Sequence, residues 1–335
     1  MDVLNVLACI CVLLLHTNFQ YNYYDGHVTF PWLYGCFIFT VAFWAVPVFI
    51  MLSVCNLVCY SGGVKCFYIR RFNRIGIPFL FWSILYAVIF YFQKGAFTWQ
   101  EGVYMFVHGL FNRYMWFFTP LFGLYLSMPF LKIFVENASD KLIWLFICFG
   151  FVFESFLPFV FDAFGIEYLF IGNDYKQPSF FSFASNFVYV GILGYMLTHR
   201  EIPLRFRRII YSVGVVTAII HFCILVFGTI STGHVVRFHL NYFYPSSVLI
   251  PAAVIVYFRY TNWERFFCSE RHANLITSLS SCSLGVYLIH RGLQIISGIY
   301  NLYFSYYLVG FLILYLLGVA IVLLMKKIPV LNKCV

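Results

Sequence analysis

The chain has 335 residues, 63% of them hydrophobic and only 10% charged, with a mean hydropathy of +0.88. A soluble domain carries roughly 25% charged residues, so a chain this apolar has too few polar side chains to cover a water-exposed surface. The net charge of +9 does not point to nucleic acid, because the basic residues stand in small groups between apolar runs, as in the loops of a membrane protein.

In chain order, ten apolar runs read as membrane spans: residues 3–19, 33–59, 77–92, 115–134, 142–159, 181–197, 209–230, 243–258, 275–297 and 306–325. Most supply the ~20 apolar residues that a helix needs to cross ~30 Å of hydrocarbon. Runs this continuous are helices and not the alternating strands of a barrel. The expected fold is therefore all-α, a polytopic membrane helix bundle of about ten transmembrane helices. Residues 1–335 are expected to form a single membrane-embedded domain with no fused soluble domain. Aromatics at 23% suit interfacial belts.

Loop charge predicts the orientation. With the N-terminus inside, the cytoplasmic loops hold sixteen Lys and Arg and the outer loops four (Lys94, Arg113, Lys176 and Arg237). That bias predicts both termini in the cytoplasm. The longest outer loop, residues 161–178, carries Asp162, Glu167, Asp174 and Lys176. Cys9, Cys11, Cys36, Cys55, Cys59, Cys148 and Cys223 are among the cysteines within apolar runs, where Cys behaves as a small hydrophobe. Cys55 and Cys59 are a turn apart without His or carboxylate nearby, and no metal site is expected.

Ionisable residues within spans are functional candidates by default. His16, Glu154, His221 and His290 each lie roughly 18–22 Å above an inner helix start, which suggests one polar chamber opening outward. Trp116 enters at the same level. The bland alternatives are a neutral His bonded to a neighbouring carbonyl and, for Trp116, an interfacial anchor. Asp2, Asn5 and His16 fall within about 40° of one helical face. Arg71 and Arg74, three apart on the cytoplasmic edge, are placed to grip phosphates; otherwise they are ordinary positive-inside arginines.

These pieces resemble the acyltransferase 3 family of integral membrane O-acyltransferases over essentially the whole chain. The stretch Asp2-Val3-Leu4-Asn5-Val6-Leu7-Ala8 with Val12 and His16 is similar to the family's first helix, and Val46-Pro47-Val48-Phe49-Ile50-Met51-Leu52-Ser53 to its second. Arg71-Phe72-Asn73-Arg74-Ile75 with Pro78 resembles its Arg-x-x-Arg segment, and Trp116-Phe117 with Tyr125 and Pro129 its fourth helix. Ser283-Leu284-Gly285-Val286-Tyr287-Leu288-Ile289-His290 and Lys326-Lys327-Ile328-Pro329 resemble a late helix and the closing stretch. The family favours a basic residue where this chain has Asn5, Gly where it has Val54, and His where it has Tyr114.

The resemblance implies transfer of an acyl group, often acetyl from acetyl-CoA, to a hydroxyl of a surface or lipid-linked glycan at the cell (inner, cytoplasmic) membrane. It implies catalytic work for His16, with Asp2 and His290 beside it. Arg71 and Arg74 would hold acyl-CoA, and Trp116, Tyr287 and Glu154 would line the acceptor's place. Membrane lipid is an expected partner and nucleic acid is not. A reading from another class is a multi-pass exporter of such a glycan or its precursor, with the His and Glu residues as its path.

Overall fold

The computed structural model describes residues 1–107, 111–166, 180–236, 242, 244–266, 269–299 and 307–335. Among them there are helices and no strands. The elements are α1 (Asp2–Thr17), α2 (Phe30–Ala42), α3 (Ala45–Leu57), α4 (Gly63–Arg71), α5 (Ile77–Lys94), α6 (Trp99–Val107), α7 (Phe118–Asn137), α8 (Asp140–Phe151), α9 (Leu157–Ala163), α10 (Phe180–His199), α11 (Leu204–Thr232), α12 (Ser246–Tyr260), α13 (Glu270–Ile299) and α14 (Tyr307–Lys326). Seven continuous helical stretches are long and apolar enough to cross a membrane, and α12 and residues 187–199 of α10 are shorter apolar helices. Helix α13 has the length, but its serines, His290 and Arg291 dilute its hydropathy. The chain is an all-α polytopic bundle. The starts of the expected eighth and tenth spans, Phe243 and Tyr306, and the loop residues Glu167, Asp174, Lys176 and Arg237 lie outside the described residues.

Prolines account for three places where the chain in or directly before an expected span is not one regular α-helix. The second breaks at Phe43–Trp44, because Pro47 has no N–H to offer the Phe43 carbonyl and its ring crowds that carbonyl. The fifth carries a π-helical turn, Val152–Phe156, and another, Phe72–Gly76, runs directly into the start of the third. Each ends two residues before a proline, Pro78 or Pro158. Widening the turn moves the carbonyl four residues back out of the proline's way. Those carbonyls belong to Arg74 and Glu154, two of the residues singled out above.

Helix α1 is central, packed against α13, α3, α14 and α2, with Leu4, Ala8, Cys9, Val12 and Leu13 buried. Its first turns are tied to α13. Asn5 Nδ2 donates to the carbonyl and hydroxyl of Ser280 at 3.1 and 2.8 Å. Asp2 accepts from Thr277 and Ser280 at 3.2 and 2.9 Å. Helix α10 lies close against α3, where a Cβ on Gly191 would come 2.3 Å from Val54 Cγ2, and one on Gly194 2.5 Å from Met51 Cβ. Both are sterically impossible without displacement, so glycine is what lets the two helices approach.

One end of the bundle collects basic side chains. Arg200 pairs with Asp140 at 2.9 Å, Arg259 with Glu201 at 3.1 Å, and Lys326 Nζ caps the Ser281 carbonyl at 3.0 Å. Arg70, Arg71 and Arg74 belong to this end, at the entry to α5.

Candidate functional site

Helix α1 delivers His16 near its far terminus, and α13 delivers His290 opposite. The two imidazoles stack with centroids 5.1 Å apart and planes 13° from parallel. Tyr114 closes on both, 3.9 Å from His16 and 5.2 Å from His290. Tyr287 packs 5.6 Å from His290, and its hydroxyl donates to the Tyr114 carbonyl. The Trp116 ring stacks on Tyr242 at 5.3 Å, while its neighbour Phe117 meets Tyr287 at 6.0 Å. Both histidines thus stand in a cluster made up mainly of aromatic rings.

Hydrogen bonds set the orientation of His290. Its Nδ1 contacts the Tyr287 carbonyl. A carbonyl only accepts, so Nδ1 carries the proton and Nε2 presents a lone pair. Nε2 is buried with no hydrogen-bond partner among the described residues, and the whole residue is 1% exposed. A buried imidazole nitrogen without a partner is costly, which makes it a natural point for a substrate hydroxyl. His16 is half-buried, and its carbonyl accepts from Gln294 at 3.2 Å. Gln294 in turn meets Arg291 at 3.4 Å, and the Arg291 guanidinium lies 5.5 Å from the centre of the Tyr114 ring.

The turn carrying His290 is also held from α5. The Tyr86 hydroxyl donates to the Leu288 carbonyl at 2.7 Å and accepts from the Gly292 N–H at 3.1 Å. It therefore bridges the two ends of one i to i+4 pair, with His290 midway between them. A side chain inserted into the helix ladder in this way sets the local course of the helix.

The remaining candidates fall elsewhere. Asp2 shares the face of α1 that looks toward α13, but it stands 14 residues, roughly 21 Å along the axis, from His16, bonded to Thr277 and Ser280. Arg71 and Arg74 do not present one even face, because the π turn between them opens the spacing. Arg71 is half-buried, its guanidinium 5.9 Å from the centre of the Phe67 ring, and Arg74 is exposed. Tyr125 lies beside Ser53 and within electrostatic reach of both arginines, which brings three of the sequence motifs together. Glu154 sits in its π turn beside Ser155, whose hydroxyl bonds Tyr189 of α10 at 2.5 Å. His221 packs 5.4 Å from Phe43, and Phe43 stacks on Tyr242 at 4.5 Å, so His221 and Trp116 flank one aromatic partition. The four ionisable residues of matching depth thus divide into one stacked pair and two separate positions.

Tyr114, Arg291, Gln294 and Tyr86 belong to the site, and none had been assigned a role from sequence. Arg291 and Gln294 follow His290 by one and four positions, a local signal available for reading. Tyr86 sits more than 200 residues from its partners, and nothing in its own segment announces them.

The geometry and the sequence now meet a third observation. The family model described as an acyltransferase domain matches residues 1–327. A multi-pass bundle of this kind with that match defines a membrane acyltransferase. The chain belongs to the acyltransferase 3 family. Among curated proteins and solved structures nothing matches it.

Proposed function

We propose that the protein transfers an acyl group, acetyl in the first instance, from acyl-CoA to a hydroxyl of a cell-surface or lipid-linked glycan. The observation that carries this reading is the stacked His16–His290 pair among aromatic rings, set away from the basic end where Arg71 and Arg74 stand. The basic end is taken as cytoplasmic on the charge bias, which puts both termini inside and the protein in the cytoplasmic membrane. The nucleotide phosphates of the donor meet the arginines, and its extended pantetheine arm reaches toward the histidines.

An acceptor hydroxyl is a weak nucleophile at neutral pH, and a positioned imidazole is the usual remedy. His16, half-buried and stacked on His290, takes the hydroxyl proton as the oxygen attacks the thioester carbonyl. The C–S bond breaks, and the thiolate leaves as the free thiol with that proton. In a two-step variant His16 itself carries the acyl group between donor and acceptor. His290, with Nε2 as acceptor, orients the incoming sugar through a second hydroxyl. Trp116 and Tyr287 supply apolar ring faces for the sugar. Asp2 holds α1 in place and does not touch the reacting atoms.

The test is turnover of radiolabelled acetyl-CoA by detergent-purified protein. We expect His16→Ala to abolish turnover with donor binding intact, and Arg71→Ala with Arg74→Ala to abolish binding. Wild-type protein that neither binds nor turns over acyl-CoA refutes the reading.

A further inference from the structure

A cavity lies on the side of the Phe43–Tyr242 partition away from the stacked histidines. It has a volume of about 300 Å³ and is lined by phenylalanines of α8, α9 and the π turn between them, by Thr217, Ile220, His221 and Ile224 of α11, and by side chains from Tyr244, just before α12, to Leu249 within it. That is the lower end of the roughly 300–1,000 Å³ of small-molecule sites. Thr217 and Ile224, seven residues apart, mark out roughly 10 Å along α11. Two of its lining residues, Phe156 and Ile220, are 46% and 50% exposed on the outer surface of the bundle. In a membrane-spanning protein that surface faces lipid, so the cavity is a slot that opens sideways into the bilayer. Its polar lining groups are Ser246, which begins α12, Tyr244, whose hydroxyl donates to Asp162, and Thr217 and His221 on α11.

We propose that this slot holds one hydrocarbon chain, the tail of the lipid that carries the acceptor glycan. The proposal rests on the acyltransferase reading for the identity of that lipid. Size and lining select a single chain over a sugar or a nucleotide, which would leave its polar groups unpaired among phenylalanines. Position selects the acceptor's chain over the donor's. His221 stands 17 residues, roughly 26 Å, along α11 from Leu204, and Leu204 follows the Arg200–Asp140 pair at the basic end. A chain seated there has its head at the far end of the bundle. From His221 the ring contacts to Phe43, Tyr242 and Trp116 lead toward the aromatic cluster around His16. The tail is thus anchored on one side of the partition, and the headgroup works on the other.

The experiment uses the full-length protein in detergent and a hexadecyl phosphate bearing a photoactivatable diazirine on its chain. After illumination, labelled peptides are mapped by mass spectrometry. Label is expected on segments 151–159, 217–224 and 244–249. Filling the slot from either side, with Ile224→Trp or Leu249→Trp, should reduce it at least tenfold without altering acetyl-CoA binding. Farnesyl phosphate should compete, and palmitoyl-CoA should not. Label spread over the lipid-facing surface, or unchanged in both tryptophan variants, overturns the site. Competition by palmitoyl-CoA alone overturns the acceptor assignment, because the occupant is then the donor's chain. If the tryptophan variants do not fold, Phe159→Ala, which lengthens the slot, should increase labelling by an octadecyl analogue, and no increase overturns the proposal. Labelling requires no turnover, so a slot that labels in a protein without acyltransfer separates failure of the earlier reading from failure of this one.

Discussion

Replacing Asn5 by Ala tests what the seam between α1 and α13 does. The side chain makes two good hydrogen bonds to Ser280, at 2.8 and 3.1 Å, and a marginal one to Ser283 at 3.5 Å. Side-chain bonds between membrane helices average about 0.6 kcal/mol, with a maximum near 1.7. The Ser280 hydroxyl keeps Asp2 as a partner at 2.9 Å, so no buried group is stranded and the cost stays near about 1 kcal/mol. Removing Asp2 as well takes away that second partner, and we predict about 2–3 kcal/mol for Asp2→Ala with Asn5→Ala, more than the sum of the single changes. The seam reports on itself, because Cys9 and Cys282 are buried free thiols beside it. Thermal exposure of those thiols to a fluorogenic maleimide gives the melting temperature, expected to fall by a few degrees for the single variant. Turnover at low temperature, where the seam is closed, should be nearly unchanged. A variant that melts like wild type but has lost turnover would refute the reasoning, and Asn5 would then act on the donor as the family's basic residue is expected to.

Four further outcomes are predicted. His290→Ala should retain donor binding but raise KM for the acceptor more than tenfold, measured by titrating acceptor at saturating acetyl-CoA. Tyr86→Phe removes the bridge between Leu288 and Gly292; the loss of about 1–2 kcal/mol should appear as a lowered melting temperature together with a reduced kcat, while Tyr91→Phe on the exposed side of α5 should alter neither. Gly191→Val alone should destabilise by at least about 1–3 kcal/mol through overpacking, whereas the exchange Val54→Gly with Gly191→Val should recover most of that loss in a double-mutant cycle. Arg71→Lys should weaken acetyl-CoA binding several-fold and Arg74→Lys less, because Arg71 is half-buried and held against Phe67, where fork geometry matters, and Arg74 is exposed.

How much of this was legible in the sequence depends on what a single chain encodes locally. Apolar runs marked out an all-α polytopic bundle, and among the described residues helices occupy those runs, seven of the stretches long and apolar enough to cross a membrane. The breaks at proline were readable in principle, since Pro47, Pro78 and Pro158 each remove a donor at a known position. Depth along a helix was legible too, which is why His16 and His290 were expected at one level. What depth cannot give is the direction in which a side chain points relative to other helices. Glu154 and His221 had matching depth, yet they stand beside Tyr189 and Phe43, away from the stacked pair. The same limit hid Tyr86, whose partners are set by the packing of α5 on α13 and not by its own neighbours in sequence. Val54, where the family favours Gly, makes sense only in three dimensions, since Gly191 supplies the missing volume from the opposite helix.

The hydroxyl that bridges Leu288 and Gly292 has a mechanical consequence. Tyr86 and the arginines ride on one continuous helical stretch, Gly63–Lys94, with Tyr86 twelve residues, roughly 18 Å, beyond Arg74. A stiff rod grasped at one end moves at the other. The π turn Phe72–Gly76 contains Arg74 and follows Arg71 directly, so the arginines stand at the irregular joint of the stretch and Tyr86 on the regular helix beyond it. On the proposed function, a donor held at the arginines and the aim of the imidazole are linked through one helix.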